Sequence, residues 1–96
     1  ELLHPHVIAF FEAVVRDQAL GLRLEEITLG PQAPLTGKPL GEVNLHDTTR
    51  ALLIGVREPA GEVLFNPARE HVLHPGAVLL VLGSGEDIAR VRQRAG

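Results

Sequence analysis

The sequence predicts an α+β fold: a small, mainly antiparallel β-sheet packed with helices and preceded by an amphipathic N-terminal helix. Three observations carry that expectation. Ala51–Val56 is apolar at positions belonging to both faces of a strand, as in a strand buried on both sides. The strand-like runs around it are joined by turns short enough for hairpins, Pro59-Ala60-Gly61 and Pro75-Gly76, so neighbouring strands should run antiparallel. Strong helical periodicity is confined to the two ends of the chain, which puts the helices outside the sheet.

Taken in order, Pro5 suits the first turn of a helix, where its missing N–H is not needed. Val7, Ile8, Phe11, Val14 and Val15 then form one wide apolar face, which Phe10 broadens, while Glu12, Arg16 and Asp17 mark the wet side. Gly21 is the expected stop. A helix of this length is marginal alone, so its apolar face must be covered. Two readings stand: packing on its own sheet, or packing on a second protomer or a preceding domain through Val7, Phe10, Phe11 and Val14. Residues 1–21 are therefore read as a linker or inter-domain helix and residues 22–96 as the domain proper.

Leu22 and Leu24 alternate with Arg23 and Glu25 as on a half-buried strand. The apolar positions then shift to Ile27 and Leu29, and a β-bulge around Glu25-Glu26 is expected to restore a single face. Gly30-Pro31 and Ala33-Pro34 end this strand, and Leu40 and Val43 are spaced as one turn of a short helix within Leu35–Asn44. Gly55 is costly inside the central strand unless another element approaches closely there, and it is counted among the interface positions for that reason. Glu58–Glu62 forms the hairpin loop and Val63–Phe65 the return strand, which Pro67 cannot continue. Val72-Leu73 is expected to be a brief strand and Ala77–Leu82 the last buried one. Ser84 followed by Asp87 reads as a capping box in which Asp replaces the usual Glu. Ile88, Val91 and Ala95 share a face of the helix that follows, and Arg90, Arg92 and Arg94 complement the dipole at its end.

The ordered punctuation from Leu35 to Gly83 resembles the C-terminal domain of the regulator-of-potassium-conductance (RCK) family, also called the TrkA C-terminal domain. The resemblance rests on Leu35-Thr36-Gly37-Lys38-Pro39-Leu40-Gly41, the strand Ala51–Val56, the Pro59-Ala60-Gly61 hairpin and Asn66-Pro67. It continues through Leu73-His74-Pro75-Gly76 and a closing strand ending at Gly83, and it covers about three quarters of the chain, from Leu24 to Arg94. It implies a cytoplasmic regulatory module that controls gating of a potassium channel or transporter at the inner face of the membrane. It also implies a homodimer, assembling into a higher ring in the full-length protein, with a channel pore or a transporter membrane subunit as partner. Two ligands follow from the same resemblance. Cyclic di-AMP would lie between paired domains against His46, Asp47, Arg50, Asn66 and Pro67, although binding members place Arg where His46 stands. A divalent cation such as calcium would use Asn66, Glu86 and Asp87. Dinucleotide binding belongs to the domain that precedes this one in the family, and no Gly-x-Gly-x-x-Gly is present, so NAD and ATP are not expected here. The alternatives are a ligand-free oligomerisation scaffold and a stand-alone small-molecule-binding regulator.

Composition narrows the remaining classes. Ninety-six residues make one small domain that buries only about 60–65% of its unfolded surface, a marginal core that a partner surface would help. A net charge of −3, with Phe as the sole aromatic type, supplies neither a basic stripe nor a stacking platform for a nucleic-acid polymer. No apolar run approaches the roughly 18 residues of a membrane span, so no direct insertion is expected. The absence of Cys removes thiol chemistry, and a chain beginning at Glu1 without any Met is expected to be a piece of a longer protein. An enzyme is not expected. Ser84, the only Ser, serves better as a helix cap. Glu70-His71-x-x-His74 has the wrong order for a metalloprotease helix, and Pro75 follows it; the five His are read as solvated rather than as a zinc site.

Overall fold

Leucine and valine at alternate positions, interrupted by Gly, Pro and Asn, fold here into seven elements: β1 (Leu22–Thr28), α1 (Leu40–Val43), α2 (Leu45–Thr49), β2 (Leu52–Arg57), β3 (Val63–Phe65), β4 (Val78–Ser84) and α3 (Gly85–Arg94). The computed structural model describes Ala9, Glu12, Ala13 and residues 21–96. Ala9, Glu12 and Ala13 are helical and exposed; Val7, Phe10, Phe11 and Val14 lie outside the described residues.

The strands form one four-stranded sheet in the order β1-β4-β2-β3. All pairings are antiparallel, as the short turns require. Two interior strands, β4 and β2, carry the two apolar runs of the sequence. Helix α3 packs on β4 and β1 and touches α2, so one face of the sheet is covered. That face supplies Ile27, Val56, Leu79 and Val81, each no more than 3% exposed, and α3 answers with Ile88 and Val91. Leu29, Leu35, Val43, Leu45 and Leu73, from β1's continuation, the short helices and the loops, close the core around them.

The bulge expected at Glu25-Glu26 is absent. β1 pairs with β4 in unbroken register from Leu22↔Ser84 to Thr28↔Val78. The apolar positions change parity because each face of β1 is apolar at one end only: Ile27 turns to the α3 side with Arg23 and Glu25, and Leu22 and Leu24 to the other with Glu26 and Thr28. The irregularity of the sheet falls instead in β2, between Leu53 and Gly55. The close approach that Gly55 was expected to need comes from the backbone of β3. A Cβ there would stand 3.0 Å from the Leu64 carbonyl oxygen and 3.4 Å from the Phe65 ring.

Ser84 and Asp87 form the predicted box: the Ser84 hydroxyl accepts from the Asp87 N–H at 3.1 Å, and an Asp87 carboxylate oxygen accepts from the Ser84 N–H at 3.1 Å. Arg90 is more than a dipole complement. Its guanidinium meets the other Asp87 oxygen at 2.5 Å and donates to the Thr49 carbonyl at 3.2 Å, which ties α3 to α2. Arg92 reaches Glu25 on β1 at 3.4 Å. Val72 forms a single bridge with Pro39 rather than a strand.

Candidate functional site

The expected short helix is α1, and a second one, α2, follows it at once. Asn44 joins them, at φ 55° in the left-handed region, ending one helix and opening the next. Asn tolerates that conformation better than most residues, so the chain kinks there at little cost. Arg50 ends α2 at φ 68°, where a long side chain gains nothing from the backbone geometry. Thr48 and Thr49 would weaken an ordinary helix, but their hydroxyls donate back to the carbonyls of Asn44 and Leu45. The buried Thr49 hydroxyl also accepts from the Ala51 N–H, so no polar atom of it is orphaned.

The loop after β3 is laced to α1 by backbone hydrogen bonds. The Leu40 N–H donates to the His71 carbonyl and the Gly41 N–H to the Arg69 carbonyl, both at 2.9 Å. First-turn N–H groups of a helix lack internal partners, and here the loop supplies them. Asn66, at φ 48°, turns the chain out of β3 while its N–H still donates to Ile54. Arg69 lies against Gly41: a Cβ there would stand 3.0 Å from the Arg69 Nε, so a larger residue would make that side chain shift. His71 Nε2 lies 2.5 Å from a Glu58 carboxylate oxygen, joining the same loop to the β2–β3 hairpin.

Between the kinked helices and this loop lies an open cavity of about 360 Å³. Leu40, Leu45, Leu53 and Pro67 make its apolar wall; Asn44, His46, Asn66 and Arg69 supply its polar groups. Of the five residues expected to hold a cyclic dinucleotide, His46, Asn66 and Pro67 come together here. Asp47 stands on the exposed side of α2, 3.9 Å from His46 Nδ1, and neither it nor Arg50 lines the cavity. The cation that does so is Arg69, which sequence reasoning missed. The available signal was Gly41, whose lack of a side chain leaves room for it.

The expected calcium ligands are differently employed. Asn66 faces the cavity, whereas the Asp87 carboxylate is committed to the α3 cap and to Arg90. The Ser84 backbone N–H, above all, holds the Asp87 carboxyl below its ordinary value, helped by the Ser84 hydroxyl and the Arg90 guanidinium and opposed by partial burial. Among the described residues, no three His, Asp or Glu side chains are placed to share a metal ion. Among them too, no helix is long and apolar enough to cross a membrane.

Comparison with solved structures finds the same fold. The RCK_C domain dimer of BusR from S. agalactiae, in complex with c-di-AMP, matches with a TM-score of 0.70 at 23% identity, over 77% of this chain and 90% of that one. A longer BusR chain, in complex with busAB-promoter DNA, matches over 92% of this chain and 42% of its own length. The RCK C domain of the potassium transport protein KtrA, in complex with c-di-AMP, matches with a TM-score of 0.71 at 16% identity, covering 92% of this chain and 94% of that one. The GsuK channel matches with a TM-score of 0.69 at 27% identity over 85% of this chain, which spans 14% of that channel's length. The family model of the TrkA-C domain matches residues 24–96, nearly the whole described region, and the chain belongs to that family.

Proposed function

We propose that this chain is the cytoplasmic regulatory domain of a potassium channel or potassium-transport protein, with no catalytic role of its own. Two copies pair around the Leu40–Arg69 cavity and bind a cyclic dinucleotide such as cyclic di-AMP between them. The observation that carries this reading is the composition of the cavity. It sets an apolar wall, suited to a purine face, beside one guanidinium and two carboxamides, suited to a phosphate and a base edge. Cyclic di-AMP is itself twofold symmetric, so two such half-sites across a twofold axis would match it half for half. The two relatives solved with c-di-AMP support the choice of ligand. In a full-length ring the ligand would bias the pore only by its differential affinity for the two ring geometries. A second reading, a small-molecule sensor whose output is not a pore, is favoured by the BusR chain bound to promoter DNA.

Isothermal titration with cyclic di-AMP, run beside light scattering, tests the first part. One ligand per two chains is expected. Arg69→Ala should weaken binding by about tenfold or more, because a charge-assisted hydrogen bond contributes roughly 1.5–3 kcal/mol. Gly41→Val should do nearly as much by displacing Arg69. No heat from any cyclic dinucleotide, with unchanged association, would leave an oligomerisation scaffold as the better account.

A further inference from the structure

The loop after β3 brings Asn66, Pro67 and Arg69 to the cavity, yet no residue from Asn66 to Glu70 is buried. The first wholly buried side chain beyond it is Leu73, so hydrophobic packing does not hold the loop in place. Polar ties do. The Asn66 N–H donates to the Ile54 carbonyl at one end, the Gly41 N–H to the Arg69 carbonyl in the middle, and the Leu40 N–H to the His71 carbonyl at the other end. The His71 N–H closes the loop's own turn on the Ala68 carbonyl at 3.0 Å.

A side-chain contact adds the tie to the β2–β3 hairpin. His71 Nε2 and a Glu58 carboxylate oxygen stand 2.5 Å apart and are both closed off from water. Among the described residues neither atom has another hydrogen-bond partner. A carboxylate oxygen shut away from water is stable only against a donor, and the imidazole ring is what faces it. Glu58 is itself held: its N–H donates to the Glu62 carbonyl at 2.7 Å, and its carbonyl accepts from the Gly61 N–H at 2.8 Å. Removing either partner leaves the other buried and unpaired, and it regains water only if the two segments part. The hairpin belongs to the sheet, whereas the loop has no buried side chain, so the loop is the side that gives way.

We propose that Glu58 and His71 are positioning residues for the cavity, their contact holding the Asn66–His71 loop so that Asn66 and Arg69 face a bound anion together. Neither residue lines the cavity, so both act through the loop. The consequence for binding rests on the cyclic dinucleotide reading; the hold on the loop does not.

Amide exchange of the full chain without ligand tests the hold. In Glu58→Ala, the Gly41 and His71 N–H groups should exchange about tenfold faster or more while the α3 amides keep their protection. Glu58→Gln can still hydrogen-bond the ring and should stay within about threefold of the unaltered chain. Unchanged exchange at Gly41 and His71 would overturn the proposal, and so would an acceleration shared equally by α3, which marks a general loss of stability. Isothermal titration with cyclic di-AMP then separates the two readings. Glu58→Ala should bind about tenfold more weakly and Glu58→Gln within about threefold, a rescue that a merely stabilising side chain would not produce in the folded protein. Equal affinity in all three chains would overturn the positioning role and leave the ligand reading intact. No heat from the unaltered chain would remove the ligand reading, and the exchange rates would still decide whether the pair holds the loop.

Discussion

The two faces of the sheet are built from the same strands and have opposite fates. On one, Leu79 and Val81 of β4 are wholly buried beneath α3. On the other, neighbouring positions of β2 and β3 leave Leu52, Val63 and Phe65 about half exposed or more. An antiparallel sheet that met water on its second face would alternate apolar and polar residues. This one is mixed on its second face, where Leu24, Leu80 and Leu82 lie beside Glu26, Thr28 and Arg57.

The sharpest way to test that contrast is to remove one buried and one open side chain. Leu79→Ala should cost about 2–5 kcal/mol, a large part of the total for a domain of this size, and should lower the urea midpoint accordingly. Phe65→Ala, at a side chain 72% exposed, should cost under about 0.5 kcal/mol by the same titration. Next comes the cap of the helix that covers the first face: Ser84→Ala should cost about 1 kcal/mol by thermal denaturation. The Asp87 carboxyl within that cap has its pKa depressed in the folded state, so its contribution is present above the unfolded value and disappears as pH falls through the folded one. Stability should therefore decline on acidification below about pH 4, and Asp87→Asn should flatten that decline. The smallest effect belongs to the rim of the covered face, where Arg92→Ala, removing the exposed pair with Glu25, should change stability by less than about 0.5 kcal/mol.

What could be read from the sequence was whatever local chemistry dictates. The strands around Leu53, Leu64 and Val81, the hairpin at Glu58–Glu62 and the box at Ser84 and Asp87 each carry their own signal within a few residues. The parity change in β1 was misread because one apolar face was assumed; a strand whose two faces are each apolar at opposite ends needs no bulge. Helix α2 was not foreseen because its two Thr are poor helix formers until their hydroxyls find the carbonyls of Asn44 and Leu45. In the cavity, His46, Asn66 and Pro67 were legible from the family resemblance. Arg69 was not, since it reaches the cavity only by lying across Gly41, a contact between residues far apart in the chain.

The pairing of β1 with β4 bears on how the domain forms. Its outermost register pair, Leu22↔Ser84, joins nearly the first and last residues of the sheet. Contacts so distant in sequence make folding slow, because loop-closure entropy is spent before the pairing rewards it. On a ribosome, β1 emerges first and its only partner strand last. From β1 to β4, then, the growing chain holds β1 unpaired, and the sheet is completed only when its latest strand slips in between β1 and β2.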